Sequence, residues 1–586
     1  MVRPPFATDW LWGVGLTVLL FAAGCSDTQP PPAPKKSSLK FDSLLDDGSE
    51  KNLKSDSAGL QSAIRFRTVV DHGIDFVHES GNSEERPFPA ANGSGVGALD
   101  YDLDGLADLF FANGAQFPIN LEKREVVDGF YRNLGQLRFR SSARVAGVDH
   151  PGFSAGVAAG DYNHDGFPDL YVTCFGENCL YVNQGDGTFS NVAATAAVND
   201  KHWGTSAVWL DVDNDGLLDL YVGNYGIWEF RDPETHKFCH GHAPDVRIFC
   251  SPKSVDGAPD FLFLNRGDGT FADISQSSGI AARLSRTQGV LAADFNDDGW
   301  IDLYLGNDMH ANSFFLNSGN GSFRDDTDAS GMGYSSDGLA QAGMGVAAAD
   351  INQNLDLEVF VTNYMGENNN LYQQVRSGRW GDQSSVQGLA ADSLSYVGWG
   401  TAFVDFDLDR WPDLIVTNGH TDHNKPNQPY AQPAFVWQNV KGRFNKIASQ
   451  SGEFLKATRV GRGLAVVDLD NDGRSDFVLS NVGQPPELVQ NQTPDTKAWL
   501  LTLEGRFANR DAVGATVLVE SAAGRTIHHL CGGGSYLSQH QLRVAVPFEA
   551  GKVKATIRWA GDKTSQVNLD QLPTNQDILL RETSKP

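Results

Sequence analysis

The sequence predicts an all-β protein, a seven-bladed β-propeller followed by a small β-sandwich-like domain. Three observations carry that prediction: an acidic nonapeptide that recurs seven times, a Gly-rich hairpin signal that accompanies it, and an alternating apolar C-terminal stretch. The acidic copies begin at Asp100 (DYDLDGLADLFF), Asp161 (DYNHDGFPDLYV), Asp211 (DVDNDGLLDLYV), Asp294 (DFNDDGWIDLYL), Asp350 (DINQNLDLEVFV), Asp405 (DFDLDRWPDLIV) and Asp468 (DLDNDGRSDFVL), so successive starts are 61, 50, 83, 56, 55 and 63 residues apart. Each copy follows a small-residue segment such as GVAAG and precedes alternating β-formers, which places each acidic loop between two strands. The segments NQGDGTF from Asn183, NRGDGT from Asn265 and NSGNGSF from Asn317 supply the second signal. Their Gly-Asp-Gly and Gly-Asn-Gly cores tolerate positive φ and so read as hairpin turns.

Four short strands per unit of roughly 55 residues, repeated seven times, match blades that stack radially and leave no long exposed edge. The last unit stops near Asn491 without its hairpin partner, whereas RFRTVV from Arg65 has the look of the missing strand. An N-terminal strand is therefore expected to complete the C-terminal blade. The propeller is assigned to residues 64–496 and the β-domain to 497–582, where WLLTLEG, GATVLVES, LRVAVPF and KATIRWAG alternate apolar and polar positions. The CGGGSYLSQ stretch between them reads as a glycine-enabled loop against the sheet or the propeller, with a ligand loop as the alternative.

Upstream, an apolar run from Trp10 to Ala23 follows Arg3 and ends in AAGC at residues 22–25. The run is too short for a spanning helix and reads as an export signal. AAGC resembles a bacterial lipobox, so Cys25 is expected to be the lipidated mature N-terminus, with a plainly cleaved signal or an uncleaved anchor as the alternatives. Residues 26–63, rich in Pro, Ser, Lys and Asp, suit a flexible tether. The expected location is the cell envelope, at the outer membrane or cell surface, or else the secreted fraction, with membrane contact through the lipid only.

The nonapeptide has a physical mechanism. Oxygens at positions 1, 3, 5 and 9, with the carbonyl of position 7, can wrap one hard cation, and glycine at position 6 permits the bend. Five copies are intact: Asp100, Asp102, Asp104, Asp108; Asp161, Asn163, Asp165, Asp169; Asp211, Asp213, Asp215, Asp219; Asp294, Asn296, Asp298, Asp302; and Asp468, Asp470, Asp472, Asp476. The sixth keeps Asp405, Asp407, Asp409 and Asp413 but carries Arg410 at the bend, where its cation is expected to compete with a metal. The fifth has Leu355 for glycine and Glu358 for the last aspartate, and is expected to stay empty. An EF-hand would require an acid at position 12, and the intact copies have Phe111, Val172, Val222, Leu305 and Leu479 there. An all-oxygen, carboxylate-rich cage favours calcium over magnesium, giving about five calcium ions.

The 586-residue chain has a formal net charge of −27. Five divalent ions would leave about −17, still acidic enough to argue against nucleic acid as a partner. The loops with their GDGTF hairpins resemble the FG-GAP/VCBS repeats of integrin α-like propellers. The stretch NRDAVGATVLVESAAGRTIHHLCGGGSYLSQHQLRVAV from Asn509 looks like the ASPIC/UnbV domain of the cartilage acidic protein family. The resemblance covers roughly residues 64–582. It implies an extracellular, calcium-binding propeller with no agreed catalytic residues, from which the fifth and sixth loops depart.

The remaining chemistry-bearing residues are few. Cys239 and Cys250 bracket the insertion behind the 83-residue spacing and are expected to form a disulfide. Cys174 and Cys179 could pair across a turn, and Cys531 reads as a small buried apolar residue. His236, His240 and His242 lack a usual zinc-finger spacing. His420 and His423 are read as turn residues, and Arg266-Gly267-Asp268 as part of a hairpin rather than a recognition tripeptide. The leading function is a surface adhesion, scaffold or protein- or carbohydrate-binding module. The alternative, a secreted polysaccharide hydrolase or lyase, would have to use His240, His242, His420 or His423, because His-Glu-x-x-His does not occur and no carboxylate pair stands outside the repeats.

Overall fold

The computed structural model describes residues 62–583 except 242–245, 423–427, 449–450, 495 and 562. The export signal, Cys25, the tether up to residue 61, His242 and His423 lie outside the described residues. From Gly59 onward the chain forms one compact unit.

Seven four-stranded antiparallel meanders make up the propeller. The first blade contains Val96–Leu99, Asp108–Phe111, Gly129–Asn133 and Phe139–Ser141. Each of the other six repeats this order, and their first strands are Phe153–Gly160, Gly204–Leu210, Thr287–Ala293, Val346–Ala349, Gly398–Val404 and Gly461–Val467. These seven first strands touch in cyclic order, and the last contacts the first. Ring closure is by the N-terminal strand Phe66–Thr68, which pairs antiparallel with Glu487–Asn491 in the register Phe66↔Asn491. Small residues dominate the first strands because neighbouring blades approach backbone to backbone near the axis. A methyl group on Gly156 would stand 2.3 Å from the Thr205 carbonyl oxygen, and one on Gly345 2.1 Å from that of Trp399. The larger side chains lie between blades; Phe110, Leu170, Leu220, Leu303, Phe360 and Leu414 are fully buried.

The C-terminal domain sets two sheets face to face. Ala498–Glu504 lies between Val544–Pro547, antiparallel, and Asp577–Arg581, parallel. Thr516–Ser521 lies between Gly524–His529 and Lys554–Arg558, with Thr564–Asn568 at the edge. Trp499, Leu501, Val517, Ile557 and Trp559 fill the space between the sheets. The four alternating segments are all strands; the parallel pairing of the last strand had no signal in the pattern.

The glycine-rich stretch of this domain runs down the axis of the propeller. Gly532–Gly533 pairs with Leu291 and Ala292 of the fourth blade. Ser535 and Val346 exchange backbone hydrogen bonds in the fifth blade. Leu537 accepts from Val157 N–H, Gln539 donates to Val96 O and Gln541 donates to Val466 O. Ser206 Oγ meets Leu537 N, and the Trp399 ring lies 4.8 Å from that of Tyr536. All seven inner strands thus contact residues 532–541, and Ser535, Tyr536 and Leu537 are buried. A methyl on Gly95 would lie 1.6 Å from the Leu537 carbonyl oxygen, so the plug needs a side-chain-free wall. At the mouth, between the domain and blades five to seven, a cavity of about 260 Å³ is lined by residues that include Asp405, Arg410, His528, His529, Cys531 and His540.

Candidate metal centres

Every acidic loop joins the first two strands of its blade. Position 1 accepts two backbone N–H groups, as when Asp211 takes those of Asp215 (3.1 Å) and Gly216 (3.0 Å). Position 9 opens the second strand and accepts from position 2, as Asp219 does from Val212 N–H at 2.9 Å. Two residues per loop adopt left-handed φ: position 4, from Leu103 at 57° to Asn471 at 54°, and position 6, which is glycine in five copies. At the sixth loop Arg410 takes φ 79°, and at the fifth Leu355 takes 74°. The Arg410 guanidinium pairs with Glu549 of the C-terminal domain at 3.2 Å.

Carboxylate oxygens converge within 4.8 Å in Asp100/Asp102/Asp108, Asp211/Asp213/Asp219, Asp405/Asp407/Asp413 and Asp468/Asp470/Asp476. In all four sets Oδ1 of position 3 (Asp102, Asp213, Asp407, Asp470) is buried with no hydrogen-bond partner. That is the donor set a hard cation takes, and an uncompensated buried carboxylate oxygen is costly without one. In three sets the other oxygen is held from the third strand: Arg132 on Asp102 at 2.6 Å, Gln438 on Asp407 at 2.7 Å and Gln490 on Asp470 at 2.5 Å. The second and fourth loops have asparagine at position 3, and there Asn163 and Asn296 donate to Asp165 and Asp298 at 2.9 Å. Position 5 lies at the exposed edge, where Asp165, Asp215 and Asp298 accept from position 7, and Asp104, Asp409 and Asp472 do the same. Desolvation, with repulsion among neighbouring carboxylates, pushes Asp108, Asp169 and Asp302 up to about 8 and Asp211 up to about 7. A cation among these groups would favour their ionised forms.

An asparagine of the third strand ties the loops into the ring. The third strand carries Asn133, Asn183, Asn265, Asn317, Asn439 or Asn491 at or next to its end in six blades. Its N–H donates to the position-9 carboxylate of its own loop, as Asn183 does to Asp169 at 2.8 Å. Its amide donates to the position-2 carbonyl of the preceding blade's loop, as Asn183 does to Tyr101 at 2.8 Å and Asn491 to Phe406 at 2.8 Å. In the first four blades these asparagines open an Asn-x-Gly hairpin, and that recurrence was the available signal. Arginines of the C-terminal domain meet position 1 of three loops: Arg510 with Asp161 (3.1 Å), Arg558 with Asp294 (3.1 Å) and Arg543 with Asp468 (3.2 Å).

The other singled-out residues have structural partners. Cys239 and Cys250 are disulfide-bonded. His236 is buried among Trp228, Phe230 and Phe238, its Nδ1 accepting from Arg231 N–H and its Nε2 against Glu85 O, both at 3.0 Å. His420 follows the second strand of its blade, not the innermost, and its Nδ1 accepts from Asp422 N–H at 2.9 Å. Asp268 of the Arg-Gly-Asp tripeptide closes its hairpin by accepting from Thr270 N–H at 3.0 Å. Cys174, Cys179 and Cys531 are free thiols.

The FG-GAP-like repeat family matches residues 100–172, 161–222, 248–305, 294–361 and 405–479, more than half of the chain. The chain belongs to the FG-GAP-like repeat family. The ASPIC and UnbV family matches residues 505–586. Cartilage acidic protein 1 of Xenopus tropicalis is 33% identical over 205 residues, 34% of this chain and 29% of that protein. Human cartilage acidic protein 1 is 30% identical over 240 residues, 38% of this chain and 34% of that protein. The match therefore spans about a third of these relatives' length. Among solved structures, the chain is similar to the BP39L lectin of Burkholderia pseudomallei (12% identity, TM-score 0.40, 68% of this chain and 95% of that one). It is also similar to an Agrocybe aegerita lectin that recognises non-reducing terminal N-acetylglucosamine (14% identity, TM-score 0.36, 67% of this chain and 86% of that one).

Proposed function

We propose that this FG-GAP-like protein is an exported, surface-anchored calcium-binding propeller that serves as an adhesion, scaffold or protein- or carbohydrate-binding module. The observation that carries the calcium reading is the set of partnerless buried Oδ1 atoms of Asp102, Asp213, Asp407 and Asp470, each within a converging carboxylate trio. The ligands would be the side chains of positions 1, 3, 5 and 9, including Asp100, Asp161, Asp294 and their repeats. Calcium would hold rigid the loops on which Arg510, Arg558 and Arg543 dock the C-terminal domain. Binding is favoured over turnover because every carboxylate trio among the described residues falls inside the repeat. Export rests on the signal-like N-terminus and on the disulfide of the third-blade insertion; anchoring rests on Cys25. A calcium titration of the mature chain by calorimetry tests the reading. Five or six ions, with a melting temperature that falls on chelation, support it; one ion or none, with no shift, overturns it. Arrays of glycans and extracellular proteins probed with and without chelator then separate the carbohydrate from the protein ligand.

A further inference from the structure

The second blade departs from the repeat at two positions that meet a third residue in space. Cys174 stands where the other blades place Asn113, Asn224, Asn307, Asn363, Asn418 and Asn481 at the end of the second strand. Cys179 opens the third strand, where the other blades have Gly129, Phe261, Ser313, Asn370, Phe435 and Glu487. His150, from the connection between the first two blades, brings Nδ1 to 3.9 Å from Cys179 Sγ. The ring nitrogen and both sulfurs lie within 4.8 Å of one another. The two cysteines are 1% and 2% exposed. Gly152 makes room for the imidazole, since a methyl there would stand 2.1 Å from His150 Nε2.

We propose that His150, Cys174 and Cys179 form a site for one thiophilic divalent cation, zinc(II) in the first instance. Zinc–sulfur bonds of about 2.3 Å and zinc–nitrogen bonds of about 2.0 Å make tetrahedron edges of roughly 3.5 to 3.8 Å. The observed sulfur–nitrogen separation meets that edge with a shift of a few tenths of an ångström. Two thiolates neutralise a dication, so loading the site leaves no net charge in the interior. Binding releases the two thiol protons to solvent and changes no oxidation state. The fourth position has oxygen donors beside it: Ser154 Oγ is 3.8 Å from Cys174 Sγ and donates to Asp128 Oδ2 at 2.9 Å. Asp128 is itself buried, its other oxygen accepting from Asn113 N–H at 2.8 Å.

A disulfide is the competing fate of two neighbouring thiols, and the strand register disfavours it. Val172 is the direct partner of Cys179, which makes Cys174 a diagonal neighbour. Diagonal pairs stand about 7 to 8 Å apart, beyond the ~6.8 Å upper range for bridged cysteines. Side chains reaching inward from a diagonal pair can share a metal between them without moving the strands.

The test uses the mature chain purified without chelator, equilibrated with zinc under excess calcium so that the oxygen loops are filled. One zinc per chain by mass spectrometry is expected, falling to none in Cys174→Ser and Cys179→Ser while the calcium count stays the same. Cobalt(II) in place of zinc should give the near-ultraviolet thiolate-to-cobalt charge-transfer band, which carboxylate loops cannot produce. That band in the unmutated chain decides the matter even where a variant fails to fold. A Cys174–Cys179 disulfide in the peptide map of the zinc-equilibrated chain, or a reduced, folded chain without the band, overturns the assignment.

Discussion

The fifth and sixth acidic loops have both lost the glycine at position 6, yet only one of them keeps the arrangement of its intact neighbours. In the sixth, Arg410 occupies the left-handed conformation itself and Asp405, Asp407 and Asp413 still converge, with the Oδ1 of Asp407 left partnerless. In the fifth, Glu358 is one methylene longer than aspartate and accepts from Asn352 of its own loop at 2.5 Å. The asparagine that elsewhere pins position 9 is replaced by Gln374, whose side chain accepts from Gly378 N–H instead. The difference teaches that position 6 is a conformational requirement which an L-residue can meet at a cost of about 1 to 2 kcal/mol. At position 9 the longer Glu358 still accepts from Ile351 N–H at 3.0 Å, but the bond from a third-strand asparagine is gone.

The largest effect should come from breaking the sixth loop. Asp405→Asn should remove one calcium ion and lower stability in saturating calcium by about 2.7 kcal/mol at a hundredfold excess over Kd, with little change after chelation. Asp350→Asn in the fifth loop should leave the count as it is. Calorimetry and melting curves on the two variants check this, and equal losses would erase the contrast. Next, the triple change Leu355→Gly, Glu358→Asp and Gln374→Asn should add one ion, sharpening the claim that these positions act together; an unchanged count would sink it.

A smaller effect is expected from pH. Burial holds His528 and His540 down to about 4 and His529 to about 3, with Arg410 and Arg558 adding repulsion to His528 and His529 respectively. The unfolded chain takes up these protons below its ordinary 6.5, before the folded state does. Stability from these groups is therefore fully present above about 6.5 and is lost as pH falls toward 4. His528→Gln with His540→Gln should flatten that acid limb relative to the parent when melting is followed between pH 7.5 and 5; parallel curves would contradict it. The smallest change is predicted for Arg410→Gly. Relief of the left-handed strain and loss of the Glu549 ion pair offset one another, so melting should shift by only a few degrees with no ion lost.

Legibility tracked locality. The acidic loops and the hairpins were readable because each is a short word whose chemistry needs no distant partner, and the closing strand because the repeat leaves a gap that it fills. Left-handed positions demand glycine or asparagine nearby, and period-2 alternation names a strand wherever it occurs. The asparagine staples were written in the same hairpins, but their use is to a loop in the neighbouring blade, so only the ring reveals it. The ion pair of Arg410 was out of reach for the same reason: its partner, Glu549, is 139 positions away in sequence.

By itself, the sequence determined the all-β repeat, the number of acidic loops and which of them are degenerate, and the Cys239–Cys250 bond, because these depend on residues close together in the chain; the ring-closing strand was legible because the last unit lacks a strand that the N-terminal segment resembles. Tertiary structure alone decided that residues 532–541 fill the propeller axis, that arginines of the C-terminal domain sit on the second, fourth and seventh loops, and that His150 meets Cys174 and Cys179. Each of those contacts joins segments that only the packing of strands, blades and domains brings together, and such an approach leaves no periodic trace in any one segment.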